Sequence, residues 1–563
     1  MTSLGSPNFE SENTADKRTR LGTPGSLVRR SLLIYAVVAL ALAWRQRGFF
    51  NADFVAYVTL ARRLFDHSAG VVTGYWSPLY SWLMAPLLWL GTSDLVAGRL
   101  VLLLAGAGYV VAWCGLAARL GPKEEPFRAV FLTGMSCCAV LEATVWSTYL
   151  LDPDLLANTL LFAYWWLLMD ERLPRKPWRA IGAGACAGLA YLGKAYMLPF
   201  ILVQLPITMV LLARRASRSA ESPRASLSWV AAFGTVLLGM ALIAGLWVSV
   251  LSRHYGRLTF STAGPANHAN VGPACFRLDP LWHPPLEANF ICDPHFGPDW
   301  SLFDSWNHFR HQFYLFFVNT RNGLGHIAGW LAMLGVSAAW WWRSQSRVPR
   351  QALGAESRWL LRWILLTALV YWSGYALVNL EARYIVPALA PLCCLAALRW
   401  FYEAIRAQSD HKPLELRGPR AVLLGFLLVI PFSVQDLWRL RDNAWKHSQS
   451  CSLRSLAPMV DALARAGKPP PPFAASDWHA GLNIAYAAHS VDSYLGCPHA
   501  TDSAGRAREL EAAGAQAFVS FCRSTNAPHG QALPAPWRPE FSALQSNGTR
   551  LEVYVNRPEN ARQ

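Results

Sequence analysis

The sequence predicts a multi-pass α-helical membrane protein of about eleven crossings, followed by a small α/β unit. Three observations predict it. Of the 563 residues, 53% are hydrophobic, 15% are charged and 26 are tryptophans, whereas about a quarter of the residues in a soluble protein are charged. Apolar runs long enough for a helix to cross the hydrocarbon layer recur along the chain. Beyond roughly residue 440 the pattern changes to short strands alternating with helices.

The runs fall at 27–45, 95–118, 127–146, 153–169, 180–193, 196–213, 227–251, 326–342, 359–377, 384–402 and 420–438. The fifth, AIGAGACAGLAYLG, is short and glycine-rich, which suits close packing against neighbouring helices. Lys17, Arg18 and Arg20 precede the first run and Arg29 and Arg30 lie at its start, and LGPKEEPFR, ERLPRKPWR, ARRASRSAESPR, WRSQSRVPR and RAQSDHKPLELRGPR fill alternate gaps. Cytoplasmic loops retain positive charge. The N-terminus is therefore expected in the cytoplasm, in an inner (plasma) membrane. Residues 46–94, WSTYLLDPD, the Gly193–Tyr196 turn, 252–325, NLEARY and everything after about 440 then lie extracytoplasmically. The net charge of +16 sits mostly in the short loops, where topology and anionic headgroups account for it and nucleic acid is not expected as a partner. No cleavable signal pattern precedes the first run, which is expected to remain as an anchor.

Three regions follow: a disordered cytoplasmic tail at 1–26, the polytopic region at 27–440 and an extracytoplasmic α/β domain at 441–563. In the last, a linker at ARAGKPPPPFAASDW leads into PFAAS (strand), HAGLNIAYAAH (helix), SVDSYL (strand), SAGRARELEAAGA (helix), QAFVSFC (strand) and TRLEVYVN (strand), giving a partly parallel sheet. It carries no glycine-rich phosphate loop and no nucleophile elbow. Cys114, Cys137, Cys138, Cys186, Cys393 and Cys394 lie in apolar runs, while Cys275, Cys292, Cys451, Cys497 and Cys522 fall on the outer side. Disulfides are permitted there. Cys275 with Cys292 and Cys497 with Cys522 are the pairs considered, leaving Cys451 odd, and spacing alone does not fix the pairing.

Ionisable residues at the ends of membrane spans are functional candidates, because placing them there is unfavourable. Asp53, in GFFNADFVAYVTLARRL, precedes an apolar pattern at helical spacing that reads as an interfacial amphipathic helix. Asn51 or Asp53 as a helix cap is one reading, and a catalytic carboxylate is the other. In GYWSPLYSWLMAPLLWLG, Tyr75, Trp76, Tyr80 and Trp82 are either an interfacial aromatic belt or a platform for a sugar, for which Tyr57, Tyr75, Trp76 and Tyr80 are the candidates. Pro78 and Pro86 break this segment, so it is not a simple span.

Asp152 and Asp154 flank Pro153 in LLDPDLLAN, either starting a helix or dividing the work of base and orienter, or sharing a metal. Lys194, closing GLAYLGK, either snorkels or holds a lipid phosphate. Glu381, Arg383 and Tyr384 repeat the theme in LEARYIVPALAPL, where an arginine grips phosphate through two parallel bonds. The outer segment 252–325 holds His254, His268, His283, His295, His308 and His311. Their spacing fits no compact zinc motif, and a disulfide-tied cover is the favoured reading, with a divalent metal left open and no metal ligand assigned.

In their order and shared sidedness, these motifs resemble the GT-C class of integral-membrane glycosyltransferases. The resemblance is to the branch of protein O-mannosyltransferases and bacterial lipid A aminoarabinose transferases, and it spans about residues 30–405. It implies transfer of a sugar from a polyprenyl-phosphate donor to a hydroxyl of a glycan, lipid or protein acceptor on the extracytoplasmic face. Asp53 would be the general base, Asp152 would orient the acceptor or assist with Asp154 as a neighbour, and Lys194 with Arg383 would bind the donor phosphate. Protein O-mannosyltransferases show D-E in the first loop, whereas Phe54 follows Asp53 here, which favours the bacterial branch. A lipid-linked glycan flippase and a non-catalytic membrane scaffold are the competing readings. The flippase predicts inverted repeats with broken helices at mid-membrane, and no such repeat is found.

Overall fold

The computed structural model describes residues 24–66, 71–125, 127–219, 224–273, 299–345, 354–408, 419–442, 453–466, 470–498, 500, 502–523, 533–544 and 549–556. The bundle begins with α1 (Pro24–Arg45), α2 (Ala52–Phe65), α3 (Leu79–Trp89), α4 (Asp94–Leu120), α5 (Phe127–Thr148), α6 (Asp154–Leu168) and α7 (Pro177–Gly193). It continues with α8 (Met197–Ser219), α9 (Arg224–Tyr255), α10 (Ala263–Asn270), α11 (Trp306–His326), α12 (Ala328–Gln345), α13 (Ala355–Ala376) and α14 (Ala382–Gln408). After α15 (Pro419–Val429), α16 (Val434–Asp442) and α17 (Leu453–Ala466) comes a mixed region with β1 (Phe473–Ala475), α18 (Trp478–Ala487), α19 (Ser503–Ala512), β2 (Ala517–Arg523), β3 (Trp537–Leu544) and β4 (Thr549–Asn556).

Each of the apolar runs read from the sequence falls on helix. Among the described residues six helices are long and apolar enough to cross a membrane, or seven if the bent pair α11–α12 is one crossing. The other runs form shorter or more charged helices, such as the 15-residue α6. At about 1.5 Å per residue, that length falls short of the roughly 30 Å hydrocarbon layer. The glycines of α7 do what their spacing implied. A Cβ on Gly188 would lie 2.8 Å from the Ile243 Cβ of α9, so this seam closes only with glycine. The close approach offsets the roughly 0.5–1 kcal/mol that glycine costs inside a helix.

Within 252–325 the described residues include two helices, α10 and α11, and the expected disulfide-tied cover involves residues outside the described ones. Histidines, phenylalanines and arginines hide α11 from any apolar-run criterion, because only one face of that helix is packed. α11 meets α12 at 74°. Arg439 donates to the His326 carbonyl at 3.0 Å and Gln435 to that of Gly325 at 2.9 Å, while the Trp330 indole donates to Asp436 at 2.9 Å. The first two bonds satisfy carbonyls released at the bend, and the third ties α12 to α16. On its other side, α11 clasps the α13–α14 turn: Gln312 donates to the Leu377 carbonyl at 2.7 Å and Asn319 to that of Ala376 at 3.0 Å.

Beyond residue 470 the sheet order is β1-β2-β4-β3, with β1 and β2 parallel and the remaining pairs antiparallel. SVDSYL is not a strand. Val491–Ser493 is a 3-10 turn, and only Tyr494 makes an isolated bridge to Phe473. β3 is absent from the sequence reading because Pro539 interrupts its alternation, and its edge position tolerates the missing N–H. The Cys497–Cys522 pairing is corrected as well: Cys497 is a free, buried thiol 3.7 Å from the Tyr494 hydroxyl. Cys275, Cys292 and Cys451 lie outside the described residues.

Candidate active site

The helix ends gather at one place. Asp53 lies in the first turn of α2 and Asp152 in the turn before α6, whose first residue is Asp154. Lys194 closes α7, and Glu381, Arg383 and Tyr384 surround the start of α14. Arg383 is the hub. Its Nη1 donates to Asp53 and, at 3.3 Å, to Asp152 Oδ2, while its Nε lies 2.9 Å from Glu381 Oε2 and 3.9 Å from Asp154 Oδ2. Lys194 Nζ sits 2.7 Å from Asp154 Oδ1 and 4.1 Å from the centroid of the Tyr384 ring. Lys194 therefore turns inward instead of snorkelling, and its ammonium has further donors beyond the Asp154 bond.

Local capping is not what fixes these residues. Asn51 occupies the N-cap of α2 but makes no side-chain cap bond. Its Oδ1 instead accepts from the Leu151 backbone N–H at 2.9 Å, tying the first outer loop to the turn that carries Asp152. Asp53 benefits from the helix N-terminus, yet its side chain is committed to Arg383. Asp152 Oδ1 accepts from the Asp154 N–H at 3.1 Å, an Asx-type turn that presents Oδ2 to Arg383. Behind Asp154, Asn158 donates to its carbonyl at 2.9 Å. The Tyr371 hydroxyl donates to the Tyr384 carbonyl at 2.8 Å, joining α13 to the start of α14.

Electrostatics separate the two central carboxyls. Burial alone would raise Asp53, but Arg383, His479 and Lys194 outweigh it and hold this carboxyl below its usual range. Asp152 is pushed the other way, up to about 7, by burial first and by Asp154 second, against the pull of Arg383 and Lys194. Two cations, Arg383 and Lys194, thus serve four carboxyls, Asp53, Asp152, Asp154 and Glu381. One ionised base beside one carboxyl titrating near neutrality is the pattern that acid–base chemistry uses.

The aromatic residues divide. The Tyr57 ring meets Trp76 at 5.1 Å and Tyr80 at 5.5 Å edge-on, and Tyr75 meets Trp76 at 4.7 Å. Tyr80 is fully buried, and its hydroxyl donates to the Gly98 carbonyl at 3.2 Å, so it supports the platform from beneath. Tyr75 retains exposure and donates to Asn267 at 3.3 Å. Burial and the nearby Asp53 push the Tyr57 phenol well above its usual range.

The described histidines of the outer segment gather on an indole rather than on one another. His268 stacks on Trp300 at 4.2 Å, and His308 and His311 meet the same ring edge-on at 5.7 and 5.5 Å. His254 lies against Tyr255. Among the described residues no three His, Cys, Asp or Glu side chains are grouped to hold a metal ion. His283 and His295 lie outside them.

One contributor went unseen in the sequence: His479, on α18, whose charge acts on Asp53. Nothing in WHAGLNIAYAAH marks it, because only the docking of α18 onto α2 brings it near. That docking is visible in Tyr486, which meets Phe50 at 4.8 Å and donates to Asp94 at 3.0 Å, and in Arg63, which lies 2.9 Å from Asp492.

No protein-family model matches the sequence, and no curated protein matches it by sequence. Solved structures do. ArnT from Cupriavidus metallidurans, bound to undecaprenyl phosphate, matches with a TM-score of 0.52 at 12% identity, over 94% of this chain and 98% of that one. The arabinofuranosyltransferase AftD from Mycobacteria matches with a TM-score of 0.50 at 14% identity, over 94% of this chain but only 40% of its own. The chain has the fold of the GT-C membrane glycosyltransferases.

Proposed function

We propose that this protein transfers a hexosyl or pentosyl group from a polyprenyl-phosphate donor to a hydroxyl of a glycan, lipid or protein acceptor. The observation that carries the proposal is the convergence of Asp53, Asp152, Asp154, Lys194 and Arg383 from four separate stretches of chain onto one buried ionic cluster. The topology that goes with it has about eleven apolar helical segments in an inner (plasma) membrane, six or seven of them long enough to cross it among the described residues, and a cytoplasmic N-terminus. The tail 1–26 is then cytoplasmic, 27–440 is the transferase region, and 441–563 is an extracytoplasmic α/β domain that includes the sheet β1–β4.

In this reading Asp53 accepts the proton of the acceptor hydroxyl as its oxygen bonds to the anomeric carbon. The bond from that carbon to the phosphate oxygen breaks, and its electron pair leaves with polyprenyl phosphate. Charge grows on the leaving group, so cations at that point favour the transition state over the ground state. Lys194 and Arg383 are placed for this role. Asp152 and Asp154 orient Arg383 and Lys194, and Tyr57, Tyr75, Trp76 and Tyr384 offer faces and hydroxyls to the sugar or acceptor. Tyr80 braces that platform. The fold itself argues for a GT-C enzyme over a flippase or a scaffold.

The test uses purified protein in liposomes with farnesyl-phosphate-linked mannose, glucose and arabinose and with hydroxyl acceptors. Turnover releasing farnesyl phosphate is expected. Movement of lipid between leaflets without any cleavage of donor would sink the proposal in favour of the flippase. In the same assay Lys194→Met raises the donor KM by about ten- to a hundred-fold, as expected for one lost charge-assisted contact, and leaves the acceptor KM unchanged. The pH profile carries a further signature. Asp152, raised to about 7, is protonated below that pH and ionised above it, so kcat/KM rises with pH through an acid limb near 7. A flat profile from pH 5.5 to 8.5 would contradict the assignment.

A further inference from the structure

The region beyond the membrane bundle does more than cap it. α18 begins with Asp477, whose side chain accepts from the Ala480 N–H at 2.8 Å and so fixes the first turn. Two turns on, Tyr486 packs edge-on against Phe50 at 4.8 Å and Phe54 at 6.1 Å, three positions before and one after Asp53. The bonds from Arg62 and Tyr486 to Asp94 Oδ2, at 2.8 and 3.0 Å, lock the two helices and α4 into one unit. His479 stands seven positions before Tyr486, which on a helix of about 3.6 residues per turn puts both on one face. Tyr486 is seated against α2, while His479 is exposed, at the end of that face left open. His479 also acts electrostatically on Asp53, after Arg383 and ahead of Lys194.

Asp53 therefore has two different sides. Toward the bundle lie Arg383, Asp152, Lys194 and Tyr384, the groups that suit a phosphate. The first turn of α18, also within electrostatic reach of Asp53, carries the exposed His479, whose neutral imidazole donates and accepts hydrogen bonds as a hydroxyl-bearing acceptor requires. We propose that His479 is an acceptor-binding residue, contributed by the C-terminal region, that holds the incoming hydroxyl compound over Asp53. This rests on the transferase reading above and adds to it the wall of the site that selects the acceptor. Trp478, whose ring lies 4.7 Å from that of His479, backs the imidazole with an apolar face.

The experiment follows full-length protein in liposomes consuming the same farnesyl-phosphate sugars, with water and n-octyl glucoside competing as acceptors. His479→Ala is expected to raise the KM for octyl glucoside about tenfold, the loss of roughly one hydrogen bond, and to lower transfer to octyl glucoside by a larger factor than donor hydrolysis by water. His479→Gln, which keeps a donor and an acceptor, recovers most of the octyl glucoside KM. An equal loss of hydrolysis and transfer in both variants would mean a structural role and would overturn the proposal. So would wild-type protein in which octyl glucoside neither accepts sugar nor competes with water. Asp53→Asn, run alongside, separates the two levels: if it turns over donor at the wild-type rate, the transferase reading itself fails, whereas an unchanged His479→Ala beside an inactive Asp53→Asn removes only the acceptor assignment.

Discussion

Arg383→Gln abolishes donor turnover and lowers the thermal midpoint of the protein in detergent. The guanidinium stands between Asp53, Asp152, Asp154 and Glu381, and its side chain is 15% exposed. Glutamine keeps hydrogen-bond donors but removes the only charge that touches all four carboxyls. Breaking a buried ion pair from one side costs about 3–5 kcal/mol, because the partner left behind is uncompensated. The check is a pair of variants. Arg383→Gln alone loses stability and activity, whereas adding Asp152→Asn removes one of the stranded charges and restores part of the stability with none of the activity. A double variant no more stable than the single one would mean that the arginine acts by packing and not by charge.

Asp53→Asn is the cleaner loss, since the amide matches the carboxylate in shape and still accepts a bond from Arg383. Removing a general base typically lowers a rate by about 10²–10⁴-fold, and that fall is expected in kcat with the donor affinity retained. Equilibrium binding of a farnesyl-phosphate sugar to wild-type and Asp53→Asn protein checks the second half of the statement. If binding disappears along with turnover, Asp53 serves the donor, and the roles given to Asp53 and Lys194 must be exchanged or merged.

These residues could be picked from the sequence because charged groups at the ends of apolar runs are rare and stand out. Asp152, Lys194 and Arg383 each close or open a run and Asp53 is the first acidic residue after the first run, and the alternation of basic loops puts all four on one side. Their partnership was not legible. Arg383 and Asp53 are 330 residues apart, and which carboxylate an arginine selects depends on how the helices between them pack. Asn51 illustrates the point. Its local pattern is that of an N-cap, yet its oxygen goes to Leu151 across 100 residues of chain. α11 was missed for a different reason: an amphipathic helix in a polar segment carries a weak average signal, and its packing partners, the Leu377 and Ala376 carbonyls, are backbone groups that no side-chain pattern encodes. In the C-terminal region Pro539 concealed a strand that is acceptable only because it forms an edge.

The shortage of positive charge at the hub bears on how a reaction there would end. Two cations already hold carboxylates when the site is at rest. An arriving phosphodiester must displace Asp154 from Lys194 or share Arg383 with Asp53, so donor binding is an exchange of anions and not the filling of a vacant pocket. The reverse exchange follows transfer. Carboxylates fixed on rigid helix ends are always at hand to reclaim their cations, and the lipid phosphate that remains must compete with them at each moment. A site of this design gives up tight grip for rapid clearance, and its product inhibition should weaken as pH rises and Asp152 ionises.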